Sequence, residues 1–114
     1  MKLSEAIKIL NAKVVCGEEK LDSEIGYAFA SDLMSDVLTL DTNNLLLITG
    51  LANLQTIRTA EMSDIQFIIF CRNKKVNEEM LVLADENQLV VLECAYSMFK
   101  TCGLLFQHGI QPLY

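Results

Sequence analysis

A chain of 114 residues fits one domain of ordinary size and has no room for two independent cores. With 52% hydrophobic and 21% charged residues it can bury enough apolar surface to offset chain ordering, which excludes a disordered segment. Its net charge of −6 opposes phosphate backbones and anionic lipid, so neither nucleic acid nor a membrane is an expected partner.

Leu3, Ala6, Ile7 and Leu10 recur at helical spacing behind Ser4, whose hydroxyl suits a helix N-cap, so a short helix is expected first. The opening ten residues lack the apolar run of an export signal, and every apolar run, Leu45 to Ile48 included, falls far below the roughly 20 residues of a membrane span. Lys13 to Cys16 reads as a strand stopped by Gly17, and Glu18 to Glu24 as a charged connection. A second strand is expected at Tyr27 to Ala30. Ser31 and Asp32 read as capping residues for a helix of about two turns with Leu33, Met34, Val37 and Leu38 on its apolar face.

Asp41 to Asn44 carries turn chemistry, and Leu45 to Thr49 is a continuous apolar strand ending at Gly50, the pattern of a strand covered on both faces. From Asn53 the period is helical, with Leu54, Ile57, Ala60 and Met62 on one side. Ile65 to Phe70 is the next strand, Asn77 caps a helix that turns Met80, Leu83 and Ala84 inward, and Leu89 to Leu92 is a further core strand. The last helix uses Met98, Phe99, Cys102, Leu105 and Phe106, and the only proline, Pro112, falls beyond it. Strand and helix alternate from Leu45 onward, which predicts an α/β fold with a mostly parallel sheet built from βαβ units.

The segment from Thr49 to Thr56 joins a buried strand to a helix start, where parallel sheets gather ligands and a helix N-terminus favours an anion. It has one glycine, no P-loop lysine and no spaced dinucleotide glycines. Two readings therefore stand, a plain turn or a site for a small anionic or nucleotide ligand. The candidate ligand-binding residues are Thr49, Gly50, Asn53, Gln55, Thr56 and, leaving the adjacent strand, Arg72, a cation suited to phosphate or carboxylate.

Cys16, Cys71 and Cys94 each fall near the end of an expected strand and would share one sheet edge if those strands were parallel, with Cys102 or His108 as a further ligand. No C-x-x-C pair is present, so small buried hydrophobes are the preferred reading, and no metal or cofactor is expected. Four cysteines without an export signal imply reduced thiols and a cytoplasmic location. His108, the sole histidine, suits a helix-end cap better than a catalytic base. Arg72 to Lys75 and the acids Glu18, Glu19, Asp22 and Glu24 read as solvated loops, and Glu78 and Glu79 as first-turn charges. Tyr96, Phe99 and Phe106 read as core or dimer contacts, and Met34, Met62, Met80 and Met98 as core filler.

The stretch from Ala30 to Leu38, then Leu46 to Gly50, Ile65 to Arg72 and Tyr96 to Thr101, resembles the DRTGG domain family across nearly the whole chain. The resemblance implies a fold like the N-terminal domain of HPr kinase/phosphorylase and an accessory role without catalysis. Where the family's Asp-Arg pair would open the helix after Gly50 this chain has Ala52 and Asn53, and where its Thr-Gly-Gly would close the next strand it has Cys71, Arg72 and Asn73.

Taken with the missing catalytic motifs, these features predict a single stand-alone domain over residues 1–114, not an enzyme, that senses a small ligand or docks on a partner enzyme. A homodimer is expected. The competing functions are a metal or redox accessory protein using the edge cysteines, and a small phosphoryl- or acyl-transfer enzyme.

Overall fold

The computed structural model describes residues 1–40 and 43–114, so the first half of the turn expected at Asp41 to Asn44 lies outside the described residues. The strands are β1 (Lys13–Cys16), β2 (Tyr27–Ala30), β3 (Leu45–Thr49), β4 (Phe67–Phe70), β5 (Val90–Glu93) and β6 (Gln111–Pro112). The helices are α1 (Leu3–Leu10), α2 (Met34–Val37), α3 (Leu54–Met62), α4 (Glu78–Glu86) and α5 (Met98–Gln107). One six-stranded sheet has the order β1-β5-β4-β3-β2-β6.

The three central strands β3, β4 and β5 are buried at every position, which explains their unbroken Leu, Ile, Val and Phe runs. They are parallel, with Leu47 opposite Ile68 and Ile68 opposite Val91. Successive side chains alternate between two cores. Leu46, Ile48, Phe67, Ile69 and Leu92 pack with α1 and α5, while Leu47, Ile68, Phe70 and Val91 pack with α2, α3 and α4.

This division of helices follows from chain direction. From β2 to β5 the chain steps one way across the sheet, so crossovers of the usual right hand place α2, α3 and α4 on one face. Helix α5 carries the chain back to β6, beside β2, and the same hand puts it on the opposite face.

Local chemistry sets the helix starts. The Asn53 side chain accepts the Thr56 N–H, Asn77 that of Met80 and Ser97 that of Lys100. Ser4 does not cap α1: Lys2 holds that position without a side-chain bond, because the Leu3 and Ser4 N–H groups donate to the carbonyls of Ser23 and Leu21. Helix α2 is a single turn of four residues, shorter than expected, with Met34 and Val37 buried and Leu33 and Leu38 exposed.

Strand β1 departs from the parallel pattern, since it pairs antiparallel with β5. Helix α1 ends at the carboxyl edge, where the Leu10 carbonyl accepts from Cys94 Sγ, and the short link to Lys13 makes β1 start there and run back. Strand β6 had no sequence signal, being two residues long and containing Pro112. On α3 the buried face is Thr56, Ile57, Thr59 and Ala60, and Met62 is exposed, so Met62 is not core filler. Phe99 and Phe106 are also exposed and do not belong to the core.

Ile69, fully buried at the centre of the sheet, is expected to dominate stability. Ile69→Ala should cost about 2–5 kcal/mol in urea denaturation. Met62→Ala, on the exposed end of α3, should change stability by less than about 0.5 kcal/mol.

Candidate functional site at the carboxyl edge

Parallel strands β2, β3, β4 and β5 deliver their following residues to one edge. The chain leaving β4 turns to the face of α4, and the chain leaving β5 to the face of α5. Open α/β sheets commonly take ligands at such a divergence, which lies here between the ends of β4 and β5, beside the ends of β2, β3 and β4. Backbone bonds span it, with the Arg72 N–H donating to the Tyr96 carbonyl at 2.7 Å and the Asn73 N–H to the Cys94 carbonyl at 3.0 Å.

Asp32 is the centre of the network here. Its Oδ1 accepts the Thr49 hydroxyl at 2.9 Å and the Gly50 N–H at 2.8 Å. Its Oδ2 accepts Arg72 Nη2 at 3.3 Å, and the same nitrogen donates to the Gly50 carbonyl at 3.2 Å. Three strand ends are tied together by one carboxylate, with the Arg72 side chain 47% exposed and that of Asp32 43%.

The loop beyond Gly50 is braced from within. Buried Thr49 accepts the Leu51 N–H at 3.1 Å through its hydroxyl, and buried Thr56 donates its own hydroxyl to the Leu51 carbonyl at 2.7 Å. A Cβ built on Gly50 would fall on the Arg72 guanidinium, so glycine is what allows that side chain to lie over the loop. Arg72 and Asn73 have φ of 60° and 59°, consecutive left-handed residues that fold the chain sharply after β4.

Of the residues expected at this site, Thr49, Gly50 and Arg72 come together directly. Asn53 and Thr56 hold the helix start, and Gln55 is exposed on the first turn of α3, outside the network. Sequence reasoning missed Asp32, because Ser-Asp before an apolar helix reads as a cap. It also missed Glu93, whose buried carboxylate accepts the Val76 N–H at 2.8 Å and lies 3.7 Å from Lys75 Nζ. An acid two residues beyond an expected strand would have been the signal for Asp32.

The three cysteines do not share this edge. Because β1 is antiparallel, Cys16 lies at the opposite end of the sheet, opposite Val91, while Cys71 and Cys94 are buried at the carboxyl edge. That separation removes the three-thiol cluster behind a metal or redox role. Burial pushes the thiols of Cys16, Cys71 and Cys102 above their ordinary pKa, and Asp85, Glu19 and Glu18 add to the effect at Cys16. His108 ends α5, with its ring Nδ1 2.8 Å from the Leu104 carbonyl, at the edge away from Asp32.

Gly50→Ala is expected to displace the guanidinium and lower stability by about 0–1 kcal/mol, no more than the half-exposed ion pair is worth. Arg72→Ala alone should cost about 0–1 kcal/mol, since the ion pair is half exposed. In the Arg72→Ala background the Gly50→Ala penalty should fall by half or more, a coupling that a double-mutant cycle in urea reads directly. The raised thiols favour the folded state at neutral pH, and their contribution should fade as pH rises through and beyond the ordinary thiol range. Urea titrations at pH 7 and pH 10 check that sign.

Comparison with known proteins agrees with this architecture. The sequence matches the DRTGG domain family over residues 5–108. The fold is similar to the crystal structure of the CBS and DRTGG domains of the regulatory region of Clostridium perfringens pyrophosphatase, complexed with its activator diadenosine tetraphosphate. The TM-score is 0.79 at 15% identity, over 93% of this chain and 46% of that one, so this chain spans about half the length of that structure. No curated protein sequence matches. With the family match running across nearly the whole sheet and all five described helices, the chain belongs to the DRTGG domain family.

Proposed function

We propose that this domain is a non-catalytic regulatory module that senses an anionic ligand of the nucleotide class at its carboxyl edge and reports occupancy to a partner enzyme. The observation that carries this reading is the convergence of the Thr49 hydroxyl, the Gly50 N–H and the Arg72 guanidinium on two oxygens of one carboxylate. Donors so arranged suit a phosphate equally well, and an arginine adds charge-assisted bonds. Asn53 and Thr56 shape the loop that presents them, and Gln55 stands at the rim. The nucleotide activator of the similar pyrophosphatase region points to the same ligand class.

The non-enzymatic reading is supported by where the reactive groups lie. The sole histidine ends α5, with its ring nitrogen at a helix carbonyl, and burial keeps three thiols protonated. Reduced cysteines favour a cytoplasmic location. Among the described residues no helix is long and apolar enough to cross a membrane.

We assign homodimerisation to the groove between α5 and the β2–β6 edge of the sheet. There Phe99, Cys102, Gly103 and Phe106 border an apolar groove of about 350 Å³ floored by Ala28 and Ile48. No charged side chain lines it, so two copies of a chain of net charge −6 meet there with least repulsion. Protruding phenylalanines beside a groove suit a two-fold contact, in which each copy supplies both.

Calorimetry with diadenosine tetraphosphate and ATP tests the ligand. Binding is expected, weakened about tenfold or more by Arg72→Ala; failure of both nucleotides to bind at millimolar concentration would sink the reading. Sedimentation should show a dimer that Phe99→Ser with Phe106→Ser converts to monomer. A wild-type monomer at high micromolar concentration would refute the α5 interface.

A further inference from the structure

We infer that Asp32 is a tethered anion occupying the binding cradle of the ligand-free domain, and that a phosphate-bearing ligand enters by displacing it. This rests on the reading of the carboxyl edge as an anion site. Asp32 takes the donors that such a ligand needs: Oδ1 the Gly50 N–H and the Thr49 hydroxyl, and Oδ2 the guanidinium. Entry without displacement would leave two anions competing for one set of donors.

The donors and the occupant are held very differently. Thr49 is fully buried at the end of a central strand, and Arg72 is pinned through its backbone to Tyr96. Its left-handed conformation is unfavourable for a side chain bearing a Cβ and persists only because its surroundings impose it. Asp32, by contrast, sits in the exposed connection between β2 and the single turn α2. Nearby, the Ser31 N–H donates to the Ile48 carbonyl at 3.0 Å, and the Leu33 N–H to Ser31 Oγ at 2.9 Å. The cradle is rigid and its plug is on a short loop.

Glu93, the other carboxylate at this edge, is 7% exposed and braced by Val76, so it cannot swing out in the same way. Two consequences follow. A built-in competitor lowers apparent affinity by the fraction of time the cradle stands open, and a single carboxylate charge yields most readily to a ligand carrying several. The cradle thereby selects polyphosphates over monoanions such as acetate. Release of Asp32 also loosens the adjacent Leu33, 58% exposed, so occupancy alters an apolar surface residue that a partner can read.

Inorganic tripolyphosphate is the probe, titrated by calorimetry into the whole chain. Asp32→Ala is expected to tighten binding about tenfold or more. Asp32→Asn, which keeps the shape and an acceptor, should tighten it less and serves if Asp32→Ala does not fold. Asp36→Asn on α2 removes an equal charge away from the cradle and should change affinity less than about threefold. In the wild type, tripolyphosphate should speed hydrogen exchange at the Leu33 and Met34 amides. If both Asp32 variants bind no more tightly than the wild type while Arg72→Ala weakens binding, the plug is refuted and the anion site stands. Gains from Asp36→Asn as large as those from Asp32→Asn, with Leu33 exchange unchanged, would also refute it. Absence of binding to every variant would overturn the anion-site reading itself.

Discussion

Everything at the carboxyl edge depends on the complete burial of β3, β4 and β5 between two layers of helices. A strand covered on both faces must satisfy its backbone groups within the sheet, so these strands pair in unbroken parallel register. Parallel register makes them end together. Residues at and just beyond the ends, Thr49, Gly50 and Arg72, are therefore brought side by side from distant parts of the chain.

Such an edge poses a problem of charge and donors. An arginine and a loop N–H emerge close together, where the sheet no longer supplies acceptors. Asp32 answers from the end of the neighbouring strand, accepting from both and from a buried threonine. Each bond is modest where it is half exposed to water. Their joint effect is geometric: one carboxylate bridges three strand ends whose spacing the sheet sets, beside a guanidinium that also bonds the Gly50 carbonyl.

The sharp turn after β4 is built without glycine. Arg72 and Asn73 both have φ near 60°, a region that glycine enters without penalty. Asparagine tolerates it. For arginine the cost is about 1–2 kcal/mol, offset here by the backbone bond to Tyr96 and the side-chain bonds to Asp32 and the Gly50 carbonyl. The turn thus holds without glycine, and Arg72 brings a cation to the carboxyl edge.

The sequence by itself determined the central strands, the capped starts of α3, α4 and α5, and the alternation that makes the sheet parallel, because apolar period and Asn or Ser caps act within a few residues. It also placed Thr49, Gly50 and Arg72 at strand ends. Tertiary structure alone decided the rest. The direction of β1 turned on α1 ending at the carboxyl edge, which separated Cys16 from Cys71 and Cys94. Strand β6 exists because the chain returns beside β2, with no local propensity behind it. The role of Asp32 was hidden for a similar reason. Its local surroundings offered a cap, whereas its partners at positions 49, 50 and 72 are near it only after the sheet has formed, so a contact between residues far apart in sequence overrode the local preference.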